Sequence, residues 1–267
     1  TTHPFLKESG LFFKIIYKIQ DHFIKSVLKH SSIVCAANEY EKQIFSDLYS
    51  EANVEIVRNG INLKSLISKK NFKEKYKIKS NFVLFVGRFS KSKGIDVLIE
   101  AINIIKNDLT KLNTRLVIMG VDFGYQNEMI ETIDKLALSE HIIIIKNPPR
   151  EDVISSYGES QFLILPSVWE LSPLVPLESF AFKKPVISTN SHGIPFTVQH
   201  NKTGILVEPD NPNELADAIK KLLNEPDLIE KLGLEGYNFV KNECNCISMA
   251  TNILKLYEKA LENNEIK

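Results

Sequence analysis

Two rhythms of apolar residues run through this chain. From Phe82 onward, short apolar runs at 82–86, 115–119, 142–145, 162–165, 186–188 and 205–207 are bounded by polar or turn residues. Such runs read as strands buried on both faces. Most of the stretches between them, and the closing segments 213–223, 226–241 and 247–261, carry apolar residues at helical spacing instead. Strand and helix in alternation predict a parallel sheet with helices on both faces, an α/β fold.

Ahead of that series, residues 11–30 place Leu11, Phe12, Ile15, Ile16, Ile19, Phe23, Val27 and Leu28 at helical spacing, with lysines on the other side. The spacing predicts a helix whose apolar stripe faces a core. A basic amphipathic helix can also lie on a membrane surface, so peripheral membrane association stands as the alternative. A strand at 32–36, a helix at 39–49 and a strand at 54–57 closed by Asn59 and Gly60 follow. The polar, lysine-rich stretch 64–79 reads as a linker and the first helix of a second domain. The expected organisation is a first domain at 1–63, a second at 64–246 and a closing helix at 247–267.

Composition narrows the function classes. The chain has 267 residues, 43% of them hydrophobic, enough for one large or two ordinary domains with buried cores. Lysine plus arginine and aspartate plus glutamate are equal at 33 each, so bulk positive charge does not drive nucleic-acid binding and no nucleic-acid partner is expected. Cys35, Cys244 and Cys246 form no disulfide framework, which points to a reducing, cytoplasmic setting. No apolar run approaches the roughly 18 residues of a membrane span. None of the eleven glycines makes a G-x-G-x-x-G turn, which argues against a dinucleotide oxidoreductase.

The densest chemistry lies at 170–178, which reads ELSPLVPLE. Glu170 follows the run 162–165 and Pro166, which places it beyond the carboxyl end of a buried strand, where ligands of open α/β sheets bind. Pro176 is expected as the first residue of a helix. The amides of Leu174 and Val175 then sit at the helix start, ready for an anion. Glu178 is one turn in. An acid beside a phosphate repels it, whereas the hydroxyls of a ribose just past the phosphates would donate to it. The alternative for Glu178 is an ordinary helix-dipole partner.

The second cluster is Val86-Gly-Arg-Phe-Ser-Lys-Ser-Lys-Gly94. Gly87 lets the backbone approach a ligand. Arg88 and Lys93 would hold a diphosphate from one side while the amides of 174 and 175 hold it from the other. Lys91 and Lys93 as solvated loop lysines is the competing reading. There is no Asp-x-Asp motif and no His/Asp cluster at ligand spacing, so no metal site and no cofactor are expected.

Together Gly87-Arg88, Lys93-Gly94, LPSVWELSPLVPLESFAFKKPVISTNSHGIP and NKTGILVEPDNPNELADAI resemble the retaining family 4 glycosyltransferases of the GT-B fold. The resemblance covers nearly the whole chain. It implies a complete carboxyl-terminal Rossmann-like donor domain, a partial amino-terminal Rossmann-like acceptor domain, and a closing helix packed back on the latter. It also implies metal-independent transfer of a sugar from a nucleoside diphosphate sugar to a hydroxyl of a sugar, lipid-linked or other acceptor, with retention of configuration, in the cytoplasm or at the cytoplasmic face of a membrane. Arg88 and Lys93 would bind the diphosphate, Glu170 the donor sugar near its anomeric centre and Glu178 the ribose. His3, in the segment Thr1-Thr-His3, would face the reacting sugar; a frayed terminal histidine is the alternative.

The chain departs from the family pattern at His192, where a glycine is usual, and at Asn62, where aspartate is. His192 either reaches the donor or crowds it. If the first part of the acceptor domain is lacking, a donor-binding remnant or a regulatory partner of a complete transferase is the alternative to an enzyme.

Overall fold

The computed structural model describes residues 11–68 and 71–265. The chain divides into two units, one comprising the chain through Gly60 with the segment from Cys246, the other Ile61–Asn245.

In the first unit α1 (Leu11–His30) precedes β1 (Val34–Ala36), α2 (Glu39–Leu48) and β2 (Val54–Ile56). The two strands pair in parallel, Val34 with Val54 and Ala36 with Ile56. Asn38 caps α2 by accepting from the Glu41 amide at 3.0 Å, the usual answer to the orphan amides of a helix start. The stripe of α1 differs from expectation: Leu28 is buried, but Phe23 is 66% exposed and Ile19 and Val27 are exposed with it. A two-stranded sheet of three-residue strands is too small to cover so wide a stripe. The final helix of this unit, α10 (Cys246–Glu265), is joined to β2 by Lys259 and Glu55.

The second unit opens with the short α3 (Phe72–Lys75) and then alternates β3 (Asn81–Val86), α4 (Ile95–Lys111), β4 (Thr114–Gly120), α5 (Gln126–Lys135), β5 (Ile142–Lys146), α6 (Arg150–Glu159), β6 (Leu163–Leu165), α7 (Leu174–Ala181), β7 (Val186–Thr189), β8 (Gly204–Val207), α8 (Pro212–Asn224) and α9 (Pro226–Asn242). All six of these strands are parallel, in the order β5-β4-β3-β6-β7-β8.

The period of two decides which face each residue covers. Val83, Phe85, Leu116, Ile118, Ile164 and Ile187 pack in one core with residues of α4 and α8. Their neighbours Phe82, Leu84, Val117, Met119, Leu163 and Val186 pack in another with Phe72, Tyr157 and Phe180. Both faces are therefore apolar, and the strands read as unbroken hydrophobic runs rather than as alternating ones.

The strand order reverses between β3 and β6. The chain proceeds outward from β3 through β4 to β5, then returns to place β6 on the other side of β3. Loops leaving β3 and β6 diverge there, which opens the crevice in which doubly wound sheets bind ligands. Gly94 holds one wall of it: its φ is +65°, and a Cβ would lie 2.0 Å from the Pro166 carbonyl oxygen. Only glycine permits that approach between the loop after β3 and the end of β6.

One boundary differs from expectation. α7 begins at Leu174, so Pro176 is its third residue and not its first. The first amides of a helix have no intrahelical carbonyl to donate to, so proline is tolerated through this turn and does not mark its first position.

Candidate functional site

The loops leaving β3, β6 and β7 are stitched together at the carboxyl end of the sheet. Val168 donates its amide to the Ser92 carbonyl at 3.1 Å, and Gly193 donates to the Glu170 carbonyl at 3.0 Å. From β7 and the turn after it, Ser188 and Ser191 donate their hydroxyls to Leu165 O (2.6 Å) and Val168 O (2.7 Å), and Thr189 donates to Ser167 O (2.5 Å). Polar side chains buried beside a loop thus satisfy its carbonyls. The segment bearing Glu170 is fixed on two sides.

Within that frame Lys93 and Glu170 form an ion pair, with side chains only 13% and 17% exposed. The Ser167 hydroxyl also donates to Glu170 Oε1 at 3.3 Å. Lys93 comes from the 3-10 turn Lys91–Lys93 that leads into α4. Arg88 is exposed, with its guanidinium carbon 4.9 Å from the Phe123 ring centroid. Among the described residues no carboxylate pairs with Arg88, so its charge is uncommitted. Gly87 directly precedes it at the end of β3, its amide donating to Met119 O at 3.0 Å.

Glu178 is held separately and shares no partner with Glu170. Arg150, the first residue of α6, forks onto it: Nη1 donates to Oε2 at 3.1 Å and Nη2 to Oε1. The Tyr157 hydroxyl donates to Oε2 at 2.9 Å. Glu178 is 12% exposed and Arg150 56%. Burial and then the Glu178 charge push Tyr157 well above the ordinary phenol range, so it stays a proton donor. The hydrogen bond to Glu178 raises Arg150 further. A carboxylate has about four acceptor positions. Three are taken here, so a vicinal diol can bind Glu178 through both hydroxyls only if the exposed Arg150 moves aside.

Leu174 is exposed at the start of α7 and Val175 half-buried beside it. His192 lies on the third loop, at φ +52°. Its Nδ1 is 2.5 Å from Ser191 Oγ and its ring meets Trp169 edge-on at 6.2 Å between centroids. Burial lowers its pKa below the ordinary 6.5. His3 lies outside the described residues.

Arg150, Tyr157 and Phe123 were not foreseen from sequence. Arg150 stands 28 positions from Glu178 and Tyr157 stands 21, and neither distance carries a periodic signal. The pair of prolines before Arg150 marks the loop after β5, and that was the one available hint.

The carboxyl end of this doubly wound sheet, with cations after its first strand and spaced glutamates after its fourth, is where open α/β sheets bind ligands. A family model described as Glycosyl transferases group 1 matches residues 68–239, more than half of the chain, and the protein belongs to that family. It is 29% identical over 246 residues to an uncharacterized glycosyltransferase of Methanocaldococcus jannaschii, a match covering 89% of this chain and 62% of the relative. It is 27% identical to the capsular polysaccharide biosynthesis glycosyltransferase CapM of Staphylococcus aureus, covering 92% of this chain and 68% of CapM. Sucrose-phosphate synthase of Thermosynechococcus elongatus superposes with a TM-score of 0.82 at 24% identity, over 92% of this chain and 62% of that one. The fold is of the GT-B type. The chain thus spans less than two thirds of the length of the first of these relatives.

Proposed function

We propose that this chain binds a nucleoside diphosphate sugar at the carboxyl end of its six-stranded sheet and belongs to an enzyme that transfers the sugar to an acceptor hydroxyl with retention of configuration. The observation that carries this reading is the meeting of Lys93 and Glu170 beyond the β3/β6 switch point, with uncommitted Arg88 in the same loop after β3 as Lys93. Glu170 accepts from hydroxyls of the donor sugar. Arg88, Lys93 and the amides of Leu174 and Val175 take the diphosphate, and Glu178 takes the ribose.

As the bond from the anomeric carbon to the diphosphate oxygen breaks, negative charge grows on that oxygen. Donors already aimed at it lower the barrier most. The ion pair to Glu170 keeps Lys93 in place before the donor arrives, so little reorganisation remains at the moment of reaction. With two cations and two amides on the leaving group, the transfer proceeds without a metal ion. Retention follows when the acceptor hydroxyl attacks from the face the diphosphate leaves, giving its proton to the departing phosphate. The acceptor is a hydroxyl of a sugar or of a lipid-linked or other carrier, and CapM, named for capsular polysaccharide synthesis, makes a sugar acceptor the first to try.

Melting curves with uridine, guanosine and adenosine diphosphate sugars test it. A saturating donor, about a hundredfold above its Kd, adds about 2.7 kcal/mol, a rise of roughly 5 °C or more for a chain of this size. Glu178→Ala abolishes the rise. No shift with any member of the panel overturns donor binding. Donor binding without cleavage, across a panel of acceptors and in the longest form of the protein, overturns transfer.

A further inference from the structure

A second cavity, of about 420 Å³, opens at the opposite, amino-terminal end of the same sheet. Its walls are the residues that lead into β3, β4 and β5. Lys77 and Lys79 lie in the turn from α3 and Ser80 directly before β3, Arg115 is the second residue of β4, and Glu140 and His141 directly precede β5. That volume falls within the range of small-molecule sites.

Its electrostatics are one-sided. Lys77, Lys79 and Arg115 face a single carboxylate, Glu140, and among the described residues none of the three cations is in an ion pair. Arg115 is anchored by donating Nη2 to the Ser139 carbonyl at 3.0 Å, and His141 Nε2 lies 3.0 Å from Thr110 Oγ1.

The same walls concentrate unsatisfied polar atoms. Ser80 Oγ, Arg115 Nε and His141 Nδ1 are closed off from solvent with no hydrogen-bond partner, and only Asp96 and Trp169 have another such atom among the described residues. Ser80 is 7% exposed, so its hydroxyl has no water to turn to. An orphaned buried group costs about 1–3 kcal/mol. Three around one cavity mark a place where a polar partner is missing.

We propose that this cavity is a binding site for a phosphate dianion, free or as a small phosphomonoester. Lys77, Lys79 and Arg115 supply the charge and the Ser80 hydroxyl rotates to donate to a phosphate oxygen. The site is separate from the donor crevice by the length of the sheet, so its occupancy is independent of that reading. A ligand there packs against the starts of β3 and β4, whose other ends carry Gly87 and Arg88 on one side and Gly120 on the other.

Calorimetric titrations with inorganic phosphate and with glycerol 3-phosphate, at constant ionic strength in potassium chloride, test the proposal and separate its two sources. Saturable binding of either probe is expected. The double variant Lys77→Asn/Lys79→Gln weakens it about tenfold or more, the scale of a lost hydrogen bond to a charged group, whereas Arg88→Ala leaves it unchanged. Lys77 has φ +55°, which asparagine tolerates, and both lysines are exposed, so the double variant keeps the parent melting temperature without phosphate. No saturable binding of either probe, unchanged affinity in the double variant, or loss of binding in Arg88→Ala would each overturn it.

Discussion

The two ends of the six-stranded sheet handle charge in opposite ways. At the carboxyl end the half-buried Lys93 and Glu170 are paired, and Glu178 is held by Arg150 and Tyr157. At the amino end the exposed Lys77 and Lys79 form no ion pair among the described residues and share a cavity with orphaned buried groups. Removing a charge from water is costly unless a partner replaces the lost hydration. The carboxyl end has therefore built its side chains into a fixed frame, while the amino end leaves its lysines solvated. Substitutions at the first end should cost folding stability as well as binding; at the second they should cost binding alone.

Backbone geometry gives the largest expected contrast. Gly94→Ala forces a Cβ to within 2.0 Å of the Pro166 carbonyl at a φ of +65° and should destabilise the fold by about 3 kcal/mol in urea unfolding. Lys77 also occupies a left-handed turn, at φ +55°, yet tolerates its side chain. Lys77→Gly should stay within about 1 kcal/mol of the parent. Equal effects at the two turns would erase the distinction between the ends.

Charge removal comes next. Glu170→Gln leaves Lys93 half-buried without its counter-ion and should cost about 2 kcal/mol. The double variant Glu170→Gln/Lys93→Met should recover part of that loss, the signature of a coupled pair. Lys79→Gln at the other end should change stability by no more than about 0.5 kcal/mol. A Glu170→Gln protein as stable as the parent would show that the pair contributes no frame.

The strands and their two buried faces were legible because unbroken apolar runs such as 82–86 leave few other readings. The order β5-β4-β3-β6-β7-β8 was not, since each strand looks alike and nothing local marks where the crossover reverses. β8 begins one residue before the apolar run 205–207, because Gly204, where a Cβ would lie 2.0 Å from the Val186 carbonyl oxygen, pairs with Val186. In the site, Glu170 and Glu178 could be singled out because a proline-marked helix start lies between them. Their pairings could not. Lys93 is 77 residues from Glu170 and Arg150 is 28 from Glu178, and only the closed fold brings them together. The exposure of Phe23 was missed for a related reason: a stripe at helical spacing states that a face is apolar without stating what covers it.

Tyr157→Phe sharpens the account of Glu178. The ring stays in its buried place and only the hydroxyl is lost, so the change removes one hydrogen bond to a carboxylate, about 1 to 1.5 kcal/mol of stability. With Arg150 as its only remaining partner among the described residues Glu178 is less well oriented, and donor affinity should fall by a similar amount in a titration with the nucleotide sugar identified by melting. Unchanged affinity together with reduced stability would make Tyr157 a core residue alone.

The smallest effect separates the two ends by pH. His192, at the carboxyl end, has its pKa lowered below 6.5 by burial. In the unfolded chain it takes up a proton as the pH falls through about 6.5, while in the folded protein it stays neutral to lower pH. The unfolded state therefore binds more protons in that window, and stability contributed by the neutral ring is present above pH 6.5 and lost as the pH falls through the folded value. His192→Asn, which asparagine's tolerance of φ +52° makes compatible with the backbone, removes this dependence. Urea unfolding at pH 7.5 and at pH 5.5 should show the stability difference between parent and variant moving in favour of asparagine at the lower pH. A difference independent of pH would mean that the ring takes up its proton as readily in the folded protein as in water.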